Sequence, residues 1–127
     1  MREQLRMLEE FHSVFGAHRE HAPTSDLDDA TIALRVSLIQ EELNEYREAA
    51  ETRDLVGVAD ALSDLLYVVL GAYVAHGLQD VGEALFAEVH RSNMSKLDEN
   101  GKVIYRGDGK VLKSPLWRPP DLEAILR

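Results

Sequence analysis

Apolar residues recur at three- and four-residue intervals through most of the first 95 positions, and then the pattern breaks. A first helix over 2–15 is predicted by Leu5, Leu8, Phe11 or His12, and Phe15, with Gly16 as its stop. The polar stretch AHREHAPTSDLDD contains Pro23 and a Ser/Asp cluster, which read as a loop leading into an N-cap. A second helix follows over about 26–52, and a third from Asp54 to His76-Gly77, where glycine suits a C-terminal cap. The fourth opens at DVGE, with Asp80 as cap and Glu83 closing a capping box, and runs to about Asn93. In DENGKVIYRGDGKVLKSP, Asn-Gly and Asp-Gly turn signals flank the β-prone KVIY, so 98–113 reads as one or two small hairpins or an extended arm. Pro115, Pro119 and Pro120 delay any further helix until Asp121, and Trp117 reads as the anchor of this tail. The expected fold class is all-α, a four-helix bundle-type protomer with a C-terminal hairpin or arm. It would form a single domain over 1–127, with a helical core at 1–95 and a basic arm and tail at 96–127.

Composition fits a soluble globular chain, 45% apolar and 29% charged, and no cysteine is present to form a disulfide or a thiolate metal site. The N-terminus has no continuous apolar run of the signal-peptide kind, and two central aspartates make membrane insertion of 57–75 expensive. A cytoplasmic protein with no membrane partner is expected. The net charge of −9 argues against nucleic-acid binding. Yet 96–118 carries six bases against three acids, while the remainder carries eight against twenty. A basic segment tethered to an acidic body suits an anionic ligand held between bound cations and a lysine-rich arm. A solvated charged tail is the alternative.

The acids themselves are oddly placed. With 100° per residue and Ile39 at zero, Ile32, Val36, Leu43, Tyr46 and Ala50 form a stripe between about −20° and +60°. Leu34, Leu38 and Ala49 form a second strip, and Glu42 and Glu45 fall inside the combined apolar arc. Glu41 lies at its edge and Glu48 faces away. The third helix is apolar at almost every position, which predicts burial on most sides. Asp60, Asp64 and Tyr67 interrupt it at i, i+4 and i+7, on one stripe. Joined by a short connection near Arg53, the two helices should pair as an antiparallel hairpin. Carboxylates converging there would repel unless cations neutralise them, and a set of oxygens without sulfur or a histidine pair suits Mg²⁺ or Mn²⁺. Taken singly, the glutamates could be a helix surface paired with Arg35 or Arg47, and the aspartates could be satisfied by hydrogen bonds or a partner subunit. Their coincidence on adjacent helices favours the metal site.

EELNE followed on the next helix by DALSD resembles the all-α nucleoside triphosphate pyrophosphohydrolases, the superfamily of MazG proteins, dimeric dUTPases and phosphoribosyl-ATP pyrophosphohydrolases. Their signature is EExxE on one helix and ExxD on the next. DALSDLLYVV and HRSNMSKL, at 60–69 and 90–97, are most similar to the short MazG-like, dUTPase-like members. One departure stands out: the first acid of ExxD falls on Ala61, with Asp60 one residue earlier.

The resemblance implies a metal-dependent hydrolase that cleaves a nucleoside triphosphate, dUTP first, to the monophosphate and pyrophosphate. It implies Mg²⁺, with Mn²⁺ able to substitute, held by Glu41, Glu42, Glu45, Asp60 and Asp64. Catalysis would fall to Glu41, Glu42, Glu45 and Asp64, with Glu41 or Glu42 orienting the attacking water. Asn93, Lys96, Lys102, Arg106, Lys110 and Lys113 would hold phosphate oxygens. Phe11, His12 and Phe15 could meet the base, although core packing is the stronger reading of the two phenylalanines. A homo-oligomer, a dimer by default, is implied as well. The alternatives are the same chemistry on dCTP, a damaged nucleotide or phosphoribosyl-ATP, or a non-catalytic metal-binding helical dimer, which metal binding without turnover would favour.

Overall fold

Capping chemistry sets most of the helix boundaries. In the computed structural model, which describes residues 1–127, α1 (Arg2–Phe15) ends where Gly16 turns left-handed and its N–H bonds the His12 carbonyl. The second helix, α2 (Asp29–Glu51), starts behind Asp28, whose carboxylate accepts from the Thr31 N–H at 2.8 Å. The third, α3 (Leu55–Ala75), starts behind Asp54, which accepts from the Gly57 N–H at 3.0 Å. It closes at His76, and Gly77 takes the positive φ of 71° that a side chain would resist. The fourth, α4 (Gly82–Met94), begins two residues later than the expected cap at Asp80. The chain spends Leu78–Val81 in a tight turn, with the Leu78 N–H on the Tyr73 carbonyl and the Val81 N–H on the Leu78 carbonyl.

The chain divides into two compact units, Met1–Gly82 and Glu83–Arg127. In the first, α3 packs against both α1 and α2. Leu5 and Leu8 of α1 meet Leu70 and Val74 of α3, with Met1 and Tyr73 against them. The 16–28 loop is tied to the end of α3 by four bonds: Glu20 N–H to the Val74 carbonyl, Thr24 N–H to the His76 carbonyl, Gln79 Nε2 to the Glu20 carbonyl, and His76 Nδ1 to the Thr24 carbonyl. The second unit holds α4, a hairpin of β1 (Ile104–Tyr105) and β2 (Val111–Leu112), and α5 (Leu122–Leu126) capped by Asp121. The strands are antiparallel, with Ile104 opposite Leu112, so the β-prone segment resolves into one hairpin. Arg118 N–H on Ser95 Oγ, Ser92 Oγ on the Arg118 carbonyl and Ser114 Oγ on the Leu97 carbonyl dock the tail within this unit. Trp117 is half-buried, with Lys113 Nζ 4.0 Å above its ring.

Two expectations need correction. The α2 stripe expected to be core is largely exposed: Ala49 is the helix's buried residue, while Val36 is 61% accessible and Ile32 and Leu43 are exposed too. Nor is α3 buried all round. Its C-terminal half is, but Leu55, Val56, Leu62 and Leu66 face outward. Within this unit only α1 and α2 pack against α3, which leaves part of the apolar hairpin uncovered.

The α2–α3 connection is only Thr52–Arg53–Asp54. Asp54 N–H bonds the Ala49 carbonyl and Arg53 N–H bonds the Ala50 carbonyl, the paired contacts of a Schellman close. Arg53 occupies the left-handed position, φ 60°, where glycine is the usual residue. Left-handed strain on an L-residue outweighs the chain-entropy cost of glycine. Arg53→Gly should therefore stabilise the fold by about 0.5–1 kcal/mol, measured as a rise in the urea midpoint at unchanged m-value.

Candidate metal centre

The tight turn sets the register of the site. Glu42 and Asp64 each stand eleven residues from Arg53, one on each arm of the hairpin, so antiparallel packing brings them side by side. Glu45 follows Glu42 by three residues on the same face. One carboxylate oxygen from each of Glu42, Glu45 and Asp64 lies within 4.8 Å of the others. Glu42 and Asp64 are half-buried and Glu45 is exposed, so the group opens to solvent on the Glu45 side.

The electrostatics record the crowding. Glu42 is pushed up to about 7, first by burial, then by the hydrogen bond and charge of Glu45, then by the charges of Asp64 and Glu41. Its Oε2 is buried and has no hydrogen-bond partner. A buried, orphaned carboxylate oxygen facing two further carboxylates fits a hard divalent cation, which would give that lone pair a partner and cancel the repulsion. These three side chains have the donor chemistry for Mg²⁺ or Mn²⁺.

The other expected ligands lie apart from this group. Glu41 is exposed and its carboxylate is not among the three. Asp60 sits one turn nearer the hairpin end and lines an open cavity of about 220 Å³ with Glu45, Glu48 and Asp54. Ala61, next to it, is 2% exposed and lines the same cavity with buried Ala49. The i,i+4 spacing to Asp64 does not bring the Asp60 carboxylate into the group.

In the second unit, Asn93 and Lys102 are exposed and Lys96 half-buried, and neither they nor Lys110 uses its side chain in a hydrogen bond or ion pair. Arg106 is paired with Asp108, and Lys113 is committed to Trp117. Glu88, held down to about 2 by Arg91, which forks onto it at 2.7 Å, organises the tail by accepting from Asp121 N–H.

Arg35 escaped the sequence reading, which took it for a surface partner of the glutamates. It reaches the junction of α1, α2 and α3, where a Cβ on Gly71 would lie 2.8 Å from its Nη1 and 3.3 Å from His12 Nε2. The signal was available. At about −40° on the helical wheel, Arg35 shares the apolar arc with Glu42.

The family model described as phosphoribosyl-ATP pyrophosphohydrolase matches residues 8–93, about two thirds of the chain and all of the carboxylate group. No curated protein matches it.

The raised Glu42 pKa makes cation binding pH-dependent with a definite sign. Between 4.5 and about 7 the folded protein keeps a proton that the unfolded chain releases, so metal-free stability falls as pH rises through that window. A cation competes with that proton. Mg²⁺ or Mn²⁺ should therefore raise Tm, more at pH 8 than at pH 5, and Asp64→Asn should suppress the rise in thermal melts.

Proposed function

The chain belongs to the phosphoribosyl-ATP pyrophosphohydrolase family, and we propose that it is a metal-dependent nucleoside triphosphate pyrophosphohydrolase whose first substrate is dUTP. The carrying observation is the convergence of Glu42, Glu45 and Asp64 with an orphaned Glu42 oxygen, inside the matched span. The likeness of DALSDLLYVV and HRSNMSKL to dUTPase-like members supports the choice of dUTP.

Divalent cations held by these carboxylates would bind the triphosphate and supply an acidified water for attack on the α-phosphorus. Glu42, Glu45 and Asp64 fix the cation, and through it the phosphate, against the hairpin. Glu41, adjacent in sequence and outside the group, is free to accept the water's proton. Asp60, with Glu45 and Glu48, lines the neighbouring cavity and can hold hydrated cation on that side. Lys96, Lys102 and Lys110 have uncommitted side chains that would neutralise phosphate oxygens and the departing pyrophosphate, and the Asn93 amide could donate a hydrogen bond to them. Arg106 and Lys113 would join them only by leaving Asp108 and Trp117. The exposed apolar faces of α2 and α3 suit a second copy of the chain, and a homodimer is the simplest closed arrangement.

The family's own description favours a second reading, in which the same chemistry acts on phosphoribosyl-ATP. A panel of dUTP, dTTP, dCTP, dATP, dGTP, ribonucleotides and phosphoribosyl-ATP decides between them, with pyrophosphate and orthophosphate scored separately under Mg²⁺ and Mn²⁺. Pyrophosphate from dUTP at the highest kcat/KM is expected. Orthophosphate release would sink the mechanism, and cation binding without turnover would leave a non-catalytic metal-binding protein. Glu45→Ala and Asp64→Ala should each cut kcat/KM by roughly three orders of magnitude, the loss of several kcal/mol of charge stabilisation. Sedimentation should give twice the 14.3 kDa protomer mass.

A further inference from the structure

A row of hydroxyl contacts joins the end of α4 to the tail. Ser92 and Ser114 are 4% and 6% exposed, and a hydroxyl so buried is costly without partners. Both find main chain across the junction. Ser92 Oγ donates to the Arg118 carbonyl at 2.8 Å. Ser114 Oγ donates to the Leu97 carbonyl at 2.7 Å and accepts from the Leu116 N–H. Ser95 Oγ donates to the Ser92 carbonyl at 2.6 Å and accepts from the Arg118 N–H at 2.9 Å. Arg91 and Glu88 continue the row, onto the Pro119 carbonyl and the Asp121 N–H. Glu88, Ser92 and Ser95 stand at i, i+4 and i+7, one stripe of the helix, and 118–121 runs back along it. Pro115, Pro119 and Pro120 stiffen this strap, since each ring fixes φ.

Lys96 is the next residue after Ser95, about a third of a turn round from the strap. The helical turn carries on past Met94: the Ser95 N–H bonds the Arg91 carbonyl and the Lys96 N–H bonds the Asn93 carbonyl. Pinning the serine face therefore sets the rotation at Lys96, whose own side chain is uncommitted. Ser114 pins the other side of Lys96 through Leu97 and closes the neck of the 98–113 hairpin.

We propose that Ser92, Ser95 and Ser114 are positioning residues that strap the tail to α4 so that Lys96 meets the departing pyrophosphate at one fixed backbone rotation. The proposal rests on the nucleotide pyrophosphohydrolase reading and adds residues that touch no ligand themselves. A lysine on a loose turn is a poor anchor, because its flexible stem and its backbone must both be ordered on binding. Ordering the backbone beforehand removes part of that cost and keeps the charge where the leaving group develops its own.

Titration calorimetry in Mg²⁺ with pyrophosphate, and separately with dUMP, tests this on the native chain, Ser95→Ala, Lys96→Ala and the double variant. Ser95→Ala should weaken pyrophosphate binding about fivefold and leave dUMP within about twofold. Since Ser95 acts through Lys96, the double variant should bind pyrophosphate no more weakly than Lys96→Ala alone. Ser95→Thr keeps the hydroxyl and should restore the native affinity. Additive losses, equal losses for the two ligands, an unchanged pyrophosphate affinity, or no pyrophosphate binding by the native chain would each overturn the assignment. Ser114→Ala, taken through the same cycle, decides the matter if Ser95→Ala does not fold. The two readings fail separately. Pyrophosphate release from a triphosphate with no coupling between Ser95 and Lys96 keeps the reaction and removes the strap's role. Coupling on pyrophosphate without hydrolysis of any triphosphate keeps that role and removes the reaction.

Discussion

Everything at the acidic site depends on a three-residue turn. Thr52, Arg53 and Asp54 close α2 and open α3 with no slack, so the register of the two helices is fixed at their joined ends. A one-residue slip would turn each side chain by about 100° and advance it about 1.5 Å, enough to separate Glu42 from Asp64. Asp54 serves both sides of the turn: its N–H bonds the Ala49 carbonyl, and its carboxylate caps α3 through Gly57. Small residues then let the hairpin close, with Ala49 and Ala61 buried along the seam.

That closeness sets stability against chemistry. Three carboxylates held together in a half-buried seam favour a proton or a cation, and Glu42 holds its proton to about pH 7 when nothing else neutralises the group. The hydrophobic core lies elsewhere, at the other end of α3, where Leu70 and Val74 meet Leu5 and Leu8. The helix is therefore divided along its length. Its C-terminal half anchors the fold, and its N-terminal half carries repelling charge and exposed leucines.

The helices were legible because caps and periodicity are local properties. Gly16, Asp54 and Asp121 act where their chemistry says they should. The carboxylate group was legible from two apolar arcs that each contained acids. What failed were inferences that needed a neighbour's position. The wheel identified the α2 stripe correctly but not whether anything in this chain covers it. Asp60 and Asp64 share a stripe, yet only the Asp64 carboxylate comes within 4.8 Å of those of Glu42 and Glu45, a distinction set by how the two helices pair. Arg35 was read as surface because arginine usually is, although its angle put it beside Glu42.

The helix pair also fixes how many carboxylates meet at the hairpin. Position 61 is a buried alanine and brings no charge to the seam. The fold has three converging carboxylates to reconcile, from Glu42, Glu45 and Asp64. On one side of the group Glu45, Glu48 and Asp60 line an open cavity. Water in that cavity can complete a coordination shell that Mg²⁺ in any case keeps partly hydrated. A fold with so small a core thus keeps the converging acids few and leaves that side of the group to solvent.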